Sequence, residues 1–165
     1  EARFVDSSPM SLLGLRELHT RLARNQRLIG LDPGSRTIGV ALSDVGLSLA
    51  SPYGSLRRRR LRDNATELLT IAQKENAGGI VVGLPLSMDG SLGPAAQAAR
   101  DWALALSGAT SLPTALWDER LSSVAANRFL TEQADLSRAK RAAAVDRAAA
   151  AWLLQGALDA LRSGA

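Results

Sequence analysis

The 165-residue chain has no cysteine and a single histidine, and no apolar run approaches the roughly 18 residues that a membrane span requires. The first absence excludes disulfides, thiol catalysis and cysteine-built metal sites. The lone imidazole, His19, falls among polar neighbours in a helical stretch and is assigned no role. No charged n-region with an apolar h-region and cleavage site opens the chain. A cytoplasmic protein without membrane contact is expected.

A hydrophobic fraction of 46% with 22% charged residues is ordinary for a globular chain, and the length suits one domain with a sizeable core. The net charge is only +4, but the basic residues are unevenly spread. The stretch "LRRRRLR" sets Arg57, Arg58, Arg59, Arg60 and Arg62 within six positions. Clustered guanidinium forks suit phosphate oxygens, and so many like charges repel one another without an anionic partner. A solvated turn is the bland alternative.

Leu12, Leu15, Leu18 and Leu22 recur at helical spacing, which predicts a short helix over 11–24. "RLIGLD" and "TIGVALSD" read as strands joined by the turn Pro33-Gly34-Ser35-Arg36, with a third strand around 47–56. Asp63 is the candidate N-cap of the next helix, and Gly78-Gly79 its stop. "GIVVGLP" is a strand buried on both faces. A helix carrying Ala96, Ala99, Trp102, Ala103 and Leu106 follows, then the strand "PTALWDE". Ser122 is a candidate cap for a helix through Leu130, "LSRAKRA" reads as a basic linker, and a last helix is expected from about Ala142 to Arg162. A meander followed by alternating helices and strands predicts an α/β domain whose later strands are parallel and covered on both faces.

Each of the first two strands ends on an aspartate: Asp32 and Asp44. Asp32, the pair Asp118-Glu119 and Asp146 stand out, because they lie at strand ends or, for Asp146, on a helix face of alanines. In α/β sheets, sites form beyond the carboxyl ends of parallel strands. Carboxylates gathered at such a rim repel unless cations compensate, and oxygen-only ligands select Mg²⁺ or Mn²⁺. Such ions activate water for phosphodiester cleavage. Taken singly, each acid has a structural reading as well: dipole complementation for Asp146, and pairing with Arg120 or capping for Asp118 and Glu119.

Four ordered stretches, "GLDPGSRTIGVALSD", "IVVGLPLSMDGS", "WDERLSSVAANRFL" and "VDRAAAAWLLQ", resemble the YqgF family, also called RuvX-like, of bacterial RNase H-fold nucleases. The resemblance spans about Arg27 to Arg162. It implies a three-layer RNase H-like α/β core, with a mixed central sheet and helices on both faces. Residues 27–165 would form the nuclease domain, and residues 1–26 an arm and short helix. The family's first-strand aspartate falls on Asp32, its D-E-R motif on Asp118, Glu119 and Arg120, and its final-helix aspartate on Asp146. The implied catalytic set is Asp32, Asp118, Glu119 and Asp146, with Asp32, Glu119 and Asp146 holding Mg²⁺ or Mn²⁺. Arg36 and Arg120 join the arginine cluster as candidate nucleic-acid contacts.

The family is linked to maturation of the 5′ end of precursor 16S ribosomal RNA, and has also been described as a Holliday junction resolvase. Many RNase H-fold nucleases carry an acid at the end of the strand that here reads "VVGLP". Its absence leaves the second acid to Asp118 or Glu119. The partner is expected to be RNA or branched DNA, with a monomer favoured. A junction resolvase would need a symmetric dimer, an actin-like kinase would need a second domain, and a non-catalytic scaffold would use the arginine cluster alone.

Overall fold

The structure, a computed structural model, describes residues 12–87, 89–122 and 138–164, with residues 121, 122 and 138–146 described by backbone alone. Strands β1 (Arg27–Pro33) and β2 (Thr37–Ser43) form the expected hairpin, with Ile29 opposite Leu42 and Asp32 opposite Gly39. The Gly34 N–H closes its turn on the Thr37 carbonyl at 2.9 Å. β3 (Ala50–Arg57) lies antiparallel on the far side of β2. β4 (Ala77–Leu84) runs parallel to β1, and β5 (Thr114–Asp118) parallel to β4. The sheet order is β3-β2-β1-β4-β5. The carboxyl ends of β1, β4 and β5 therefore share one rim, the condition on which a common acidic site depended.

Period-two alternation sorts the strands between two cores. Ile29, Leu31, Ile80 and Val82 face helices α2 (Leu61–Glu75) and α3 (Pro94–Thr110), where Leu68, Trp102 and Leu106 complete one core. Leu28 and Val81 face the other way, toward Leu18, Leu153, Leu154 and Leu158. Leu18 belongs to α1 (Leu15–Arg21), and the three C-terminal leucines to α4 (Arg138–Ser163). Gly30 shares the second face, and a Cβ there would stand 2.7 Å from Leu154 Cβ and 3.2 Å from the Ala150 carbonyl. The bare backbone of β1 thus lets α4 lie close against the sheet.

Several element boundaries differ from expectation, each for a local reason. α1 is shorter than 11–24; Leu18 is fully buried, and the Leu13 N–H ahead of the helix donates to the Thr114 carbonyl of β5 at 2.8 Å. α2 starts two residues before Asp63, with Arg60 at the cap position. No side chain caps the helix; buried Asn64 instead ties down the chain that enters it, its Oδ1 accepting the Arg59 N–H at 2.9 Å while its Nδ2 donates to the Arg57 carbonyl and Glu67. Asn76, in the left-handed region at φ 55°, ends α2, and Gly78-Gly79 belong to β4. Gly79 is needed there because a Cβ would meet Leu18 Cδ1 at 2.7 Å.

β3 begins at Ala50, later than expected, because the preceding residues form a turn around Asp44. The Asp44 carboxylate accepts the Ser48 N–H, the Ser48 hydroxyl and the Leu49 N–H at 2.8–3.0 Å. These bonds, the Leu49 and Ser48 amides first, hold its carboxyl below the usual range. The stretch read as the linker "LSRAKRA" supplies the first turn of α4 from Arg138 onward. The expected helix beginning at Ser122 lies outside the described residues beyond Ser122, which itself sits in a 3₁₀ turn. Among the described residues no helix is long and apolar enough to cross a membrane.

Candidate active site

Asp32 stands one residue from the end of β1, on the same face as Gly30 and hence on the α4 side of the sheet. β5 ends at Asp118, and Glu119 opens a 3₁₀ turn (Glu119–Ser122) that folds its side chain back over the sheet. The space it enters is provided by Gly83. A Cβ on Gly83 would lie 2.6 Å from Glu119 Oε1, 3.0 Å from its Cγ and 2.8 Å from Leu153 Cδ2. Glu119, reaching across from the neighbouring strand, thus lies over the end of β4, where the sequence carries no acid. A glycine interrupting the apolar run "IVVGL" was the signal in the sequence, since glycine inside a strand marks close approach by another group.

Glu119 hydrogen-bonds Asp32. Burial, followed by that bond and the negative charges of Asp32 and Asp118, pushes the Glu119 carboxyl up to about 9. With its value so raised, the Glu119 carboxyl carries its proton at neutral pH and donates it in the hydrogen bond to Asp32.

Asp118 has a different environment. Arg120 grips it through Nε, at 3.0 Å to each carboxylate oxygen, and through Nη2 at 2.6 Å to Oδ2, while the Arg120 backbone N–H adds a 2.9 Å bond to Oδ1. Pairing with Arg120, the dominant cause, holds the Asp118 carboxyl below its ordinary value. The same guanidinium lies near Gly90 and is drawn electrostatically to Asp89 in the loop after β4. Arg120 thereby ties the 3₁₀ turn to that loop. Of the two adjacent acids, the structure brings Glu119 to Asp32 and couples Asp118 to Arg120.

Asp146 lies in α4 one turn before Ala150, whose carbonyl sits over Gly30, and its side chain is outside the described residues. Among the described residues no three acids, histidines or cysteines converge as metal ligands. The described donor set is the Asp32–Glu119 carboxylate pair. Two carboxyls held together by a shared proton, one of them strongly shifted by burial, form a set that a divalent cation would satisfy in the proton's place.

The arginines divide into two groups. Arg36 lies in the β1–β2 turn, and Arg57 is paired with Thr37 at the end of β3, so the cluster borders the same rim as Asp32. Arg57, Arg59, Arg60 and Arg62 are exposed. Arg58 is half-buried, with its guanidinium 5.4 Å from the Trp102 ring centre and Nη1 donating to the Gly34 carbonyl at 2.8 Å. This pairing could not be read from the cluster, because its aromatic partner is on α3.

The family model described as "RuvX: Holliday junction resolvase" matches residues 26–160. A protein of Gluconacetobacter diazotrophicus named "Putative pre-16S rRNA nuclease" is 60% identical over 92% of this chain and 98% of its own length. A protein of the same name from Acidiphilium cryptum is 61% identical over 92% of this chain and 96% of its own. Among solved structures, T. thermophilus RuvC in complex with a Holliday junction substrate superposes with a TM-score of 0.55 at 16% identity, covering 85% of this chain and 98% of that one. That likeness bears on the fold, which is RNase H-like. With the family model spanning most of the chain and relatives at such identity over nearly their whole length, this protein belongs to the RuvX family.

Proposed function

We propose that the protein is a divalent-metal-dependent nuclease that hydrolyses phosphodiester bonds in structured RNA, and that its substrate is the 5′ end of precursor 16S ribosomal RNA. The observation that carries this reading is the half-buried Asp32–Glu119 pair at the carboxyl rim of the parallel strands, beside exposed arginines. Its relatives' names point to the same substrate. Asp32 and Glu119 would hold Mg²⁺ or Mn²⁺, with Asp146 of α4 as the third ligand. The bound ion supplies an activated water and charge neutralisation at the scissile phosphate.

The protein's own residues do the rest. Glu119 would serve as a ligand in its ionised form, its proton passing to solvent. Asp118, clamped by Arg120, fixes the backbone that presents Glu119 and adds negative potential at its edge. Arg36, Arg57, Arg59, Arg60 and Arg62 offer a ridge for the nucleic-acid backbone. Residues 27–165 read as the nuclease domain, with Leu13 of the preceding arm bonded to β5. The protein would act as a cytoplasmic monomer.

The description of the matching family model favours a second reading, a Holliday junction resolvase. Two symmetric nicks in a four-way junction need two sites fixed in a twofold dimer. The deciding experiment incubates the purified protein with labelled RNA carrying the 16S precursor 5′ end, and separately with a four-way DNA junction, each with and without Mn²⁺. Mn²⁺-dependent cleavage of the RNA by a species of monomer mass in light scattering is expected. Paired nicks in the junction by a dimer, with the RNA intact, would establish the resolvase instead. Nucleic-acid binding without cleavage or Mn²⁺ binding would indicate a scaffold.

A further inference from the structure

We infer that Arg58, although it belongs by sequence to the arginine cluster, is a positioning residue that pins the turn following Asp32 and does not contact the nucleic-acid backbone. The inference rests on the nuclease reading above for its catalytic consequence.

The bonds that hold the turn between β1 and β2 include one within it and two from Arg58. One is internal, from the Gly34 N–H to the Thr37 carbonyl at 2.9 Å. The other two come from Arg58: its backbone N–H donates to the Arg36 carbonyl at 2.8 Å, and its guanidinium Nη1 to the Gly34 carbonyl at 2.8 Å. One residue therefore grips both ends of a turn whose first strand carries Asp32 two positions before Gly34. The guanidinium is itself fixed by Trp102 of α3, a buried ring that it faces at 5.4 Å.

Trp102 belongs to the core on the α2 and α3 face, whereas Asp32 meets Glu119 on the α4 face. Arg58 thus braces the strand end from behind. Its half-buried head, already engaged by a carbonyl and a ring, is poorly placed for a phosphate, unlike exposed Arg57, Arg59, Arg60 and Arg62. The turn also cannot be restored by a bulkier residue at 34, since a Cβ there would lie 2.7 Å from the Thr37 carbonyl oxygen.

The test compares the wild-type protein with Arg58→Met, which keeps an unbranched stem over Trp102 but removes the guanidinium donors, and with Arg58→Lys, which restores a charged donor group. Amide hydrogen exchange on the metal-free protein is expected to show loss of protection at Gly34 in Arg58→Met, by about 10-fold or more, with core amides such as Leu68 and Ile80 unchanged. Mn²⁺ affinity and kcat should fall by about 10-fold, as when the groups that orient a metal ligand are removed. KM and the salt dependence of RNA binding should hold, and Arg58→Lys should recover part of the loss. Arg59→Ala, by contrast, should raise KM and flatten the salt slope.

Unchanged exchange at Gly34 would overturn the proposal. So would a loosened turn with wild-type Mn²⁺ affinity and kcat, or a raised KM and a slope reduced by one phosphate contact at full kcat. If the wild-type protein neither cleaves RNA nor binds Mn²⁺, the nuclease reading fails, and exchange at Gly34 still decides whether Arg58 pins the turn.

Discussion

At the scale of single residues, two aspartates that look alike in the sequence have unlike tasks. Asp44 is a turn residue, its oxygens already engaged by the Ser48 and Leu49 groups. Replacing it with alanine should lower stability by about 1–3 kcal/mol in urea denaturation, through loss of charge-assisted bonds, with Mn²⁺ affinity intact. Asp32→Asn should leave the fold and abolish cleavage; a folded variant cutting at the wild-type rate would remove Asp32 from the site. Glu119 gives a pH signature. Its carboxyl has an ordinary value of 4.5 and a folded value of about 9, so across that interval the folded state holds more protons than the unfolded one. Stability of the metal-free protein therefore falls as pH rises from about 4.5 toward 9. Glu119→Gln should remove most of that fall, raising the metal-free Tm at pH 8–9 relative to wild type. Parallel Tm–pH curves for the two proteins would contradict the coupling. That acids would gather at a rim was legible from their strand-end positions. Which of Asp118 and Glu119 turns inward was not, because it depends on the 3₁₀ turn and on the vacancy over Gly83.

Among the elements, α4 decides the site's shape by how closely it approaches β1. Gly30 permits that approach, and Ala150 and Leu154 fill it. Gly30→Ala should push the helix outward and cost about 1–3 kcal/mol, measured as a lower denaturation midpoint. The hairpin, the two buried helices and the parallel strands were readable from periodicity, since burial imposes a period of 2 or 3.6 on the apolar residues. Boundaries were less readable. α2 starts at Leu61 without a side-chain cap, the chain before it tied down by the buried Asn64 amide, and ends at Asn76, so the more conspicuous Asp63 and Gly78-Gly79 misplace both boundaries. Gly79 of β4 serves packing against Leu18 of α1, a contact between segments far apart in the chain.

Across the whole molecule, exposed arginines border the rim that carries the acidic pair, the layout that the proposed nuclease reading requires. Arg59→Ala with Arg62→Ala should flatten the dependence of log K on log salt by up to about 0.9 per lost contact on duplex DNA, and about 0.7 on single strands. An unchanged slope would leave the ridge as a solvated face. The central claim is that Asp32 and Glu119 share a proton that a divalent cation displaces. Calorimetric titration of the metal-free protein with Mn²⁺ at pH 7, in two buffers of different ionisation enthalpy, measures this directly. The prediction is binding accompanied by release of about one proton per ion, since a carboxyl with a value of about 9 is almost wholly protonated at that pH, and little or no release in Glu119→Gln. No binding, or binding with no protons released by the wild-type protein, would contradict it.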